Sequence, residues 1–345
     1  MTGTSRTGRA AWLWCVLVVA AVAAGPSAPW SAGTPAPGGP AAQTATAPPA
    51  LIRVTIAVPS VSDPFTDVYL ARDLGIFARH RLDVQIVSMK PPTAFAALQA
   101  GEIDFWTGAG SGAKAAETGR PLRVVFLASK APVMLVVGAK DVTALAQLRG
   151  GAVAVKAPLD TTSLVTEYLL RRAGVAPGSY TLLYVGTTGA QVGVLQKGLA
   201  AAATVEVGPA LRLEKEGYKV IGNSLTTMRL FGAGLVTSLA EIRTKPDVIR
   251  RAVAAERDAL RVILTRKDAV VAVLQHDFHS SPSEASQIYD LLKDTWNPTG
   301  IPPAEAVRTE IQLDTEVLQE SHAGPNRPLR ESDFTDLQFV QGGGG

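Results

Sequence analysis

From Leu51 onward, short apolar runs alternate with amphipathic stretches, and the spacing of apolar positions switches between periods of two and 3.6 residues. Ile52-Arg53-Val54-Thr55-Ile56-Ala57-Val58 reads as a strand that Pro59 stops. Asp67 then caps a helix running to about Arg79, with Val68, Leu70, Ala71, Leu74 and Phe77 on one face. Leu82 to Val87 is a second strand, Thr93 caps a helix that stops at Gly101, and Ile103 to Trp106 is a third strand. Ser111 opens a helix and Val124 to Leu127 is a strand. This βαβα order predicts a parallel sheet covered by helices.

Val133 to Val137 reads as a strand leaving that unit, after which the pattern restarts. Ala152–Val155, Leu182–Val185 and Ala203–Val205 read as strands, with helices over Thr161–Arg172 and Thr188–Lys197 and another beginning at Pro209. Two similar units in series predict two similar lobes. From about Ser238 the pattern is helical, with Pro246 at a helix start and further helices around 267–278, 283–296 and 302–319. Helices without new strands are expected to pack back onto the first lobe. The chain would then cross between lobes twice, near Gly138–Val142 and Phe231–Leu235, and two crossings make a hinge. The expected lobes are 51–138 with 235–341, and 139–234.

The 345 residues carry a formal net charge of +3, with 47% hydrophobic and 18% charged residues, which suits a globular protein of two domains. Basic residues are not clustered among aromatics, so no nucleic-acid partner is expected. Arg6 and Arg9 precede an uncharged apolar stretch, Ala10 to Ala24, that ends in small residues. Such a pattern predicts a secretory signal peptide over 1–24 and export to the periplasm. Residues 25–50, rich in Pro, Ala, Gly, Ser and Thr, read as a disordered linker. The single cysteine, Cys15, lies in the signal segment, so the mature chain would have no disulfide and no thiol nucleophile.

In parallel α/β sheets, ligands bind outside the carboxyl ends of the strands, where loops and helix N-termini converge. Here those loops run over 60–66, 88–93, 106–111, 156–163, 186–189 and 206–209. They are rich in hydroxyls. The candidate ligand-binding residues are Ser60, Ser62, Phe65, Lys90, Trp106, Ser111, Asp160, Thr161, Thr162, Thr188 and Glu206. Phe65 and Trp106 would sandwich an apolar or aromatic group, and Lys90 would supply a positive charge. Glu206 and Asp160 argue instead for a cationic or amine-bearing ligand. Gly108-Ala109-Gly110-Ser111-Gly112-Ala113 partly imitates a dinucleotide fingerprint, but no acidic residue ends the next strand. These glycines read as a tight turn exposing backbone N–H groups to ligand. His276 and His279 share a helix face, but no supporting ligands accompany them, and no metal or other cofactor is expected. No nucleophile–His–Asp set can be assembled by motif, so no catalytic residues are assigned.

Three segments carry a resemblance. Tyr69-Leu70-Ala71 with Gly75-Ile76-Phe77 and Leu82-Asp83-Val84, then Ala97 to Phe105, then Leu148 to Val155, resemble the opening, the "A-L-x-x-G-x-I-D" segment and the second-lobe start of nitrate/sulfonate/taurine-type (SsuA/THI5-like) solute-binding proteins. His80-Arg81 stands where the family has Gly, and Gly151 where Lys is common. The resemblance implies an α/β, two-lobed periplasmic-binding-protein-like fold of type II, each lobe a mostly parallel sheet flanked by helices. It also implies a non-enzymatic monomer that captures a small organic ligand, anionic or aromatic, of the sulfonate, carboxylate or thiamine-precursor class. The ligand would pass to an ABC permease in the inner membrane. The alternatives are an enzyme on the same fold, of desulfinase or pyrimidine-precursor synthase type, and a membrane-tethered sensory binding protein.

Overall fold

A computed structural model describes residues 50–158, 160–321 and 327–341. The signal segment with Cys15, all of the linker but Ala50, and the C-terminal glycines lie outside the described residues.

The strands are β1 (Ile52–Val58), β2 (Leu82–Ser88), β3 (Phe105–Gly108), β4 (Leu122–Leu127), β5 (Leu135–Gly138), β6 (Ala152–Val155), β7 (Thr181–Tyr184), β8 (Ala202–Val205), β9 (Lys219–Asn223) and β10 (Ala233–Ser238). They form two five-stranded sheets, ordered β2-β1-β3-β10-β4 and β7-β6-β8-β5-β9. Within the first sheet only β10 runs antiparallel, and within the second only β5. The reason is the route of the chain. After β4 it leaves the first sheet at the carboxyl edge and enters the second from that same edge as β5. After β9 it returns in the same way as β10. A strand that starts where its neighbours end must run against them.

That route corrects the expected hinge. β5 pairs with β8 and β9, so the first crossing is the segment 128–134, not 138–142. Gly138 to Val142 is instead a turn within the second lobe, closed by Val142 N–H donating to Ala139 O at 2.8 Å. The second crossing occupies 224–232, just before β10.

The crossings are bonded to each other. Ser224 Oγ donates within 2.7 Å of Pro132 O and Met134 O, and accepts from Met134 N at 3.0 Å. Gly232 N donates to Ser129 O at 3.1 Å, and Ser129 N to Ala233 O at 3.0 Å. A Cβ at Gly232 would lie 2.4 Å from Ala131 O, so only glycine lets the two segments approach this closely.

Alternation along β1 sends Val54, Ile56 and Val58 to one face and Ala57 to the other, and each face has its own apolar cluster. The helix 246–265 covers the first face with Ile249, Ala252, Val253, Leu260 and Ile263. Helices 267–276, 282–292 and 304–321 follow it, close to the expected spans. The first helix is shorter than expected: it ends at Asp73, Gly75 takes φ +63, and a separate turn spans Ile76–Arg79. The helix expected to be capped by Thr93 begins earlier, at Pro91. No helix among the described residues is long and apolar enough to cross a membrane.

Asp67 does not act as a side-chain N-cap. It is buried against Glu256 of the helix 246–265; burial pushes both carboxyls above their ordinary range, and the neighbouring Asp67 raises Glu256 further while the hydrogen bond between them holds Asp67 lower than burial alone would. A group that binds its proton more tightly when folded stabilises the fold at low pH and loses that contribution as pH rises through the raised value. Glu256→Gln should therefore raise the thermal midpoint by a few degrees at about pH 8 and change it little at about pH 5. Thermal melts of both proteins across that range give the test; a difference that does not vary with pH would contradict the shared-proton account.

Candidate functional site

The carboxyl ends of the parallel strands in both sheets face one another beside the hinge. Two adjoining chambers lie there, and Ser60 and Glu206 line both. The inner chamber, about 40 Å³, is walled by Phe65, Trp106, the hinge residues Pro132 to Met134, Lys156 and Asp160. The outer chamber, about 520 Å³, is walled by Ser62, Asp63, Thr188, Arg212, Glu216 and Ile288 among others. Each chamber takes walls from both lobes.

Among the expected binding residues, Ser60, Phe65, Trp106, Ser111, Asp160, Thr161 and Glu206 meet at the inner chamber. Ser62 and Thr188 face the outer one. Lys90 and Thr162 line neither. Lys90 is exposed just before Pro91, and Pro91 takes the wall position instead. Thr162 is buried: its Oγ1 accepts from Lys156 N at 2.9 Å and donates to Asp160 Oδ1 at 2.7 Å. It shapes the loop rather than the cavity.

Trp106 is 0% exposed. Its indole N–H is directed to Gly108 O at 2.9 Å and Ser111 Oγ at 3.1 Å, and its ring stands edge-on to Phe95 at 5.9 Å. It forms a hydrogen-bonded floor, and Phe65 supplies a second aromatic wall.

The glycine turn differs from expectation. The N–H groups of Ala109 and Gly110 both donate to Gly232 O, at 3.1 and 3.4 Å, so they are not presented to ligand. A Cβ at Gly110 would sit 2.6 Å from Phe231 O, and one at Gly112 2.5 Å from a Val236 methyl. These glycines exist so that the helix 109–117 can lie against the returning hinge strand.

Three residues that the sequence reading assigned no role govern the electrostatics. Lys156 directly follows β6 and donates from Nζ to Glu206 Oε1 at 2.5 Å. Thr188 Oγ1 donates to Glu206 Oε2 at 2.8 Å. Burial works against charge on both partners, but their mutual attraction and hydrogen bond prevail: Lys156 is held above its ordinary value and Glu206, 1% exposed, below its own. Asp63, 3% exposed, reaches across from the first lobe. The backbone N–H groups of Val207 and Gly208, at the start of the second-lobe helix 207–215, lie beside its carboxyl and favour its charged form. Burial, and then repulsion from Glu206, push Asp63 up to about 7. Arg212, in that same helix, donates to Glu284 of the first lobe at 2.7 Å and forms a second lobe-spanning contact. The signal for Lys156 and Asp63 was present, since both lie in strand-end loops, but nothing in the sequence says which charged loop residues turn inward.

His276 does not build a metal site with His279. His276, Asp73 and Asp277 lie together, but Arg72 already donates to both carboxylates, at 2.7 and 2.5 Å. The guanidinium occupies the place a cation would take.

The fold is that of periplasmic binding proteins. The alkanesulfonate-binding protein SsuA from Xanthomonas axonopodis pv. citri, bound to MOPS, matches with a TM-score of 0.69 at 15% identity, covering 84% of this chain and 99% of that one. A Candida albicans protein described as having the generic periplasmic binding protein fold matches with a TM-score of 0.64 at 16% identity, covering 81% and 92%. The desulfurization enzyme DSZB matches with a TM-score of 0.60 at 14% identity, covering 84% and 97%. No curated protein matches the sequence. A sequence model of the family described as NMT1/THI5 like matches residues 63–269, most of both sheets and the hinge. By that match and by its two hinged sheets, the chain belongs to the NMT1/THI5-like family.

Proposed function

We propose that this protein is an exported solute-binding protein. It captures a small organic molecule with an apolar or aromatic body between its lobes, in the periplasm, and presents the closed form to an ABC permease in the inner membrane as a monomer. The observation that carries this reading is the shared cavity at the hinge, walled by strand-end loops of both lobes. The inner chamber as it stands holds only a few waters, since one water needs roughly 10–15 Å³. The lobes must part to admit a ligand and close to enclose it. The outer chamber falls within the usual range of ligand pockets, about 300–1,000 Å³. The SsuA protein of like fold is named as alkanesulfonate-binding, which supports the role; the desulfurization enzyme on the same fold marks the rival. Favouring binding over turnover, neither chamber is lined by Cys or His among the described residues.

A thermal-shift screen of small organic molecules should yield stabilising ligands, with a gain of about 2.7 kcal/mol at 100 times the dissociation constant. Phe65→Ala should weaken those ligands about tenfold; because Phe65 is buried in the core it also lowers the ligand-free midpoint, so the comparison is the ligand-induced shift of each protein from its own midpoint. Conversion of a bound molecule to a new product would favour the enzyme instead.

Closure should also depend on pH. In the open form Asp63 leaves the second lobe, and its carboxyl returns toward the ordinary value of 3.8. The closed form, with Asp63 near 7, binds that proton more tightly, so closure is favoured most below about pH 4 and weakens as pH rises through 7. With an uncharged ligand, which does not itself favour the ionised carboxyl, affinity should fall between about pH 5.5 and 8, and Asp63→Asn, whose amide oxygen can stand where the carboxyl stood beside Val207 and Gly208, should flatten the profile. Titration calorimetry at both pH values measures this; equal slopes in the two proteins would rule Asp63 out as the source.

A further inference from the structure

Helix N-termini are ready anion sites only while their N–H groups remain free. In this cleft several of them are answered from within the chain. Gly232 O takes the N–H groups of Ala109 and Gly110 at the start of the helix 109–117. Asp160 Oδ1 takes Thr162 N, at 2.9 Å, in the helix 161–172. Thr187 Oγ1 takes Ala190 N, at 3.2 Å, in the helix 188–196. Asp63 places its carboxyl beside the N–H groups of Val207 and Gly208 in the helix 207–215. The helix 91–100 opens with Pro91 and Pro92, which have no N–H to offer. Asp160 and Asp63 also set carboxyls at two of these ends, which offsets their positive field.

The side chains add to this. Across both chambers the cations are Lys156 and Arg212, and each is engaged by a glutamate, Glu206 at 2.5 Å and Glu284 at 2.7 Å. The carboxyls on the walls are Asp63, Asp160, Glu206 and Glu216. Asp63 Oδ2 is buried at the outer chamber and has no hydrogen-bond partner among the described residues. An entering sulfonate or carboxylate would find acids in excess and both cations taken. An entering cation would find acceptors and a field of the right sign.

We infer that the cleft selects a small organic cation, an apolar or aromatic body carrying a protonated amine or amidine, whose N–H groups hydrogen-bond to Glu206, Asp160 and Asp63. Phe65 and the Trp106 floor hold the body; the carboxyls hold the charged end. This deepens the solute-capture reading and rests on it. It replaces the anionic half of the ligand class expected from sequence. Glu206 is the pivot, because its carboxylate both faces the two chambers and engages Lys156. Without that carboxylate, Lys156 would be left as an unpaired buried ammonium at the inner chamber.

Benzamidinium, benzoate and benzenesulfonate share one flat body and differ in charge, and they serve as probes with the full mature chain and its Glu206→Gln variant. At about 10 mM, roughly ten times the ~1 mM dissociation constant of a weak fragment, benzamidinium should raise the wild-type midpoint by roughly 3 °C and the two anions should not. In Glu206→Gln the order should invert, with benzamidinium weakened and benzoate strengthened about tenfold each. Stabilisation of the wild type by either anion but not by benzamidinium overturns the charge selection and leaves the clamp intact. No response to any probe also overturns it. The clamp itself fails separately, if no molecule in the wider screen stabilises the protein. A variant that melts early is replaced by Asp160→Asn, for which benzamidinium binding should again be the one that falls.

Discussion

The two hinge crossings lie side by side and hydrogen-bond to each other, and every other property of the cleft depends on that contact. Ser224 grips Pro132 and Met134, and Gly232 meets Ser129 with no side chain between them. A pair of bonded strands resists shear and splaying but still permits rotation about its own length. In the proposed closure the lobes would move as bodies about this pair without losing register. The same arrangement explains why each sheet holds one antiparallel strand: β5 and β10 are the two crossings continued into the sheets.

Around this axis the cleft is built from charge more than from shape. Lys156 and Glu206 stabilise each other in a place where either alone would be expensive to bury. Asp63 and Arg212 reach across the gap from opposite sides, one to a helix start and one to Glu284. The proposed closure would bring a carboxyl of the first lobe beside a carboxylate of the second, where a proton or the inferred ligand cation would relieve the repulsion. Ligand capture, pH and lobe closure are one coupled equilibrium in this account.

Much of this was legible in the sequence, and the losses have identifiable causes. The βα order, the return of the C-terminal helices and the strand-end position of Phe65, Ser111, Asp160 and Glu206 follow from apolar period and from the rule that ligands gather at carboxyl edges. β9 was missed because Lys219 and Gly222 leave only Val220 and Ile221 as an apolar core. The first crossing was placed too late because Val133 to Val137 is equally apolar in either sheet; only the partner strands decide. The glycine turn was read as a donor nest because local sequence cannot reveal that Gly232 arrives to take its N–H groups. Thr162 was read as a ligand contact for the same reason. Its hydroxyl is taken by a loop it helps to form.

The central claim is that the two sheets rotate about the bonded crossings and enclose the ligand. Spin labels at the exposed positions Glu102 and Lys197, one on each lobe far from the cleft, report that rotation by pulsed electron resonance after Cys15 is replaced. The account predicts a broad or two-population distance without ligand, and one population that differs from it when a stabilising ligand is added. A single distance, unchanged by a ligand that demonstrably raises the thermal midpoint, would contradict it.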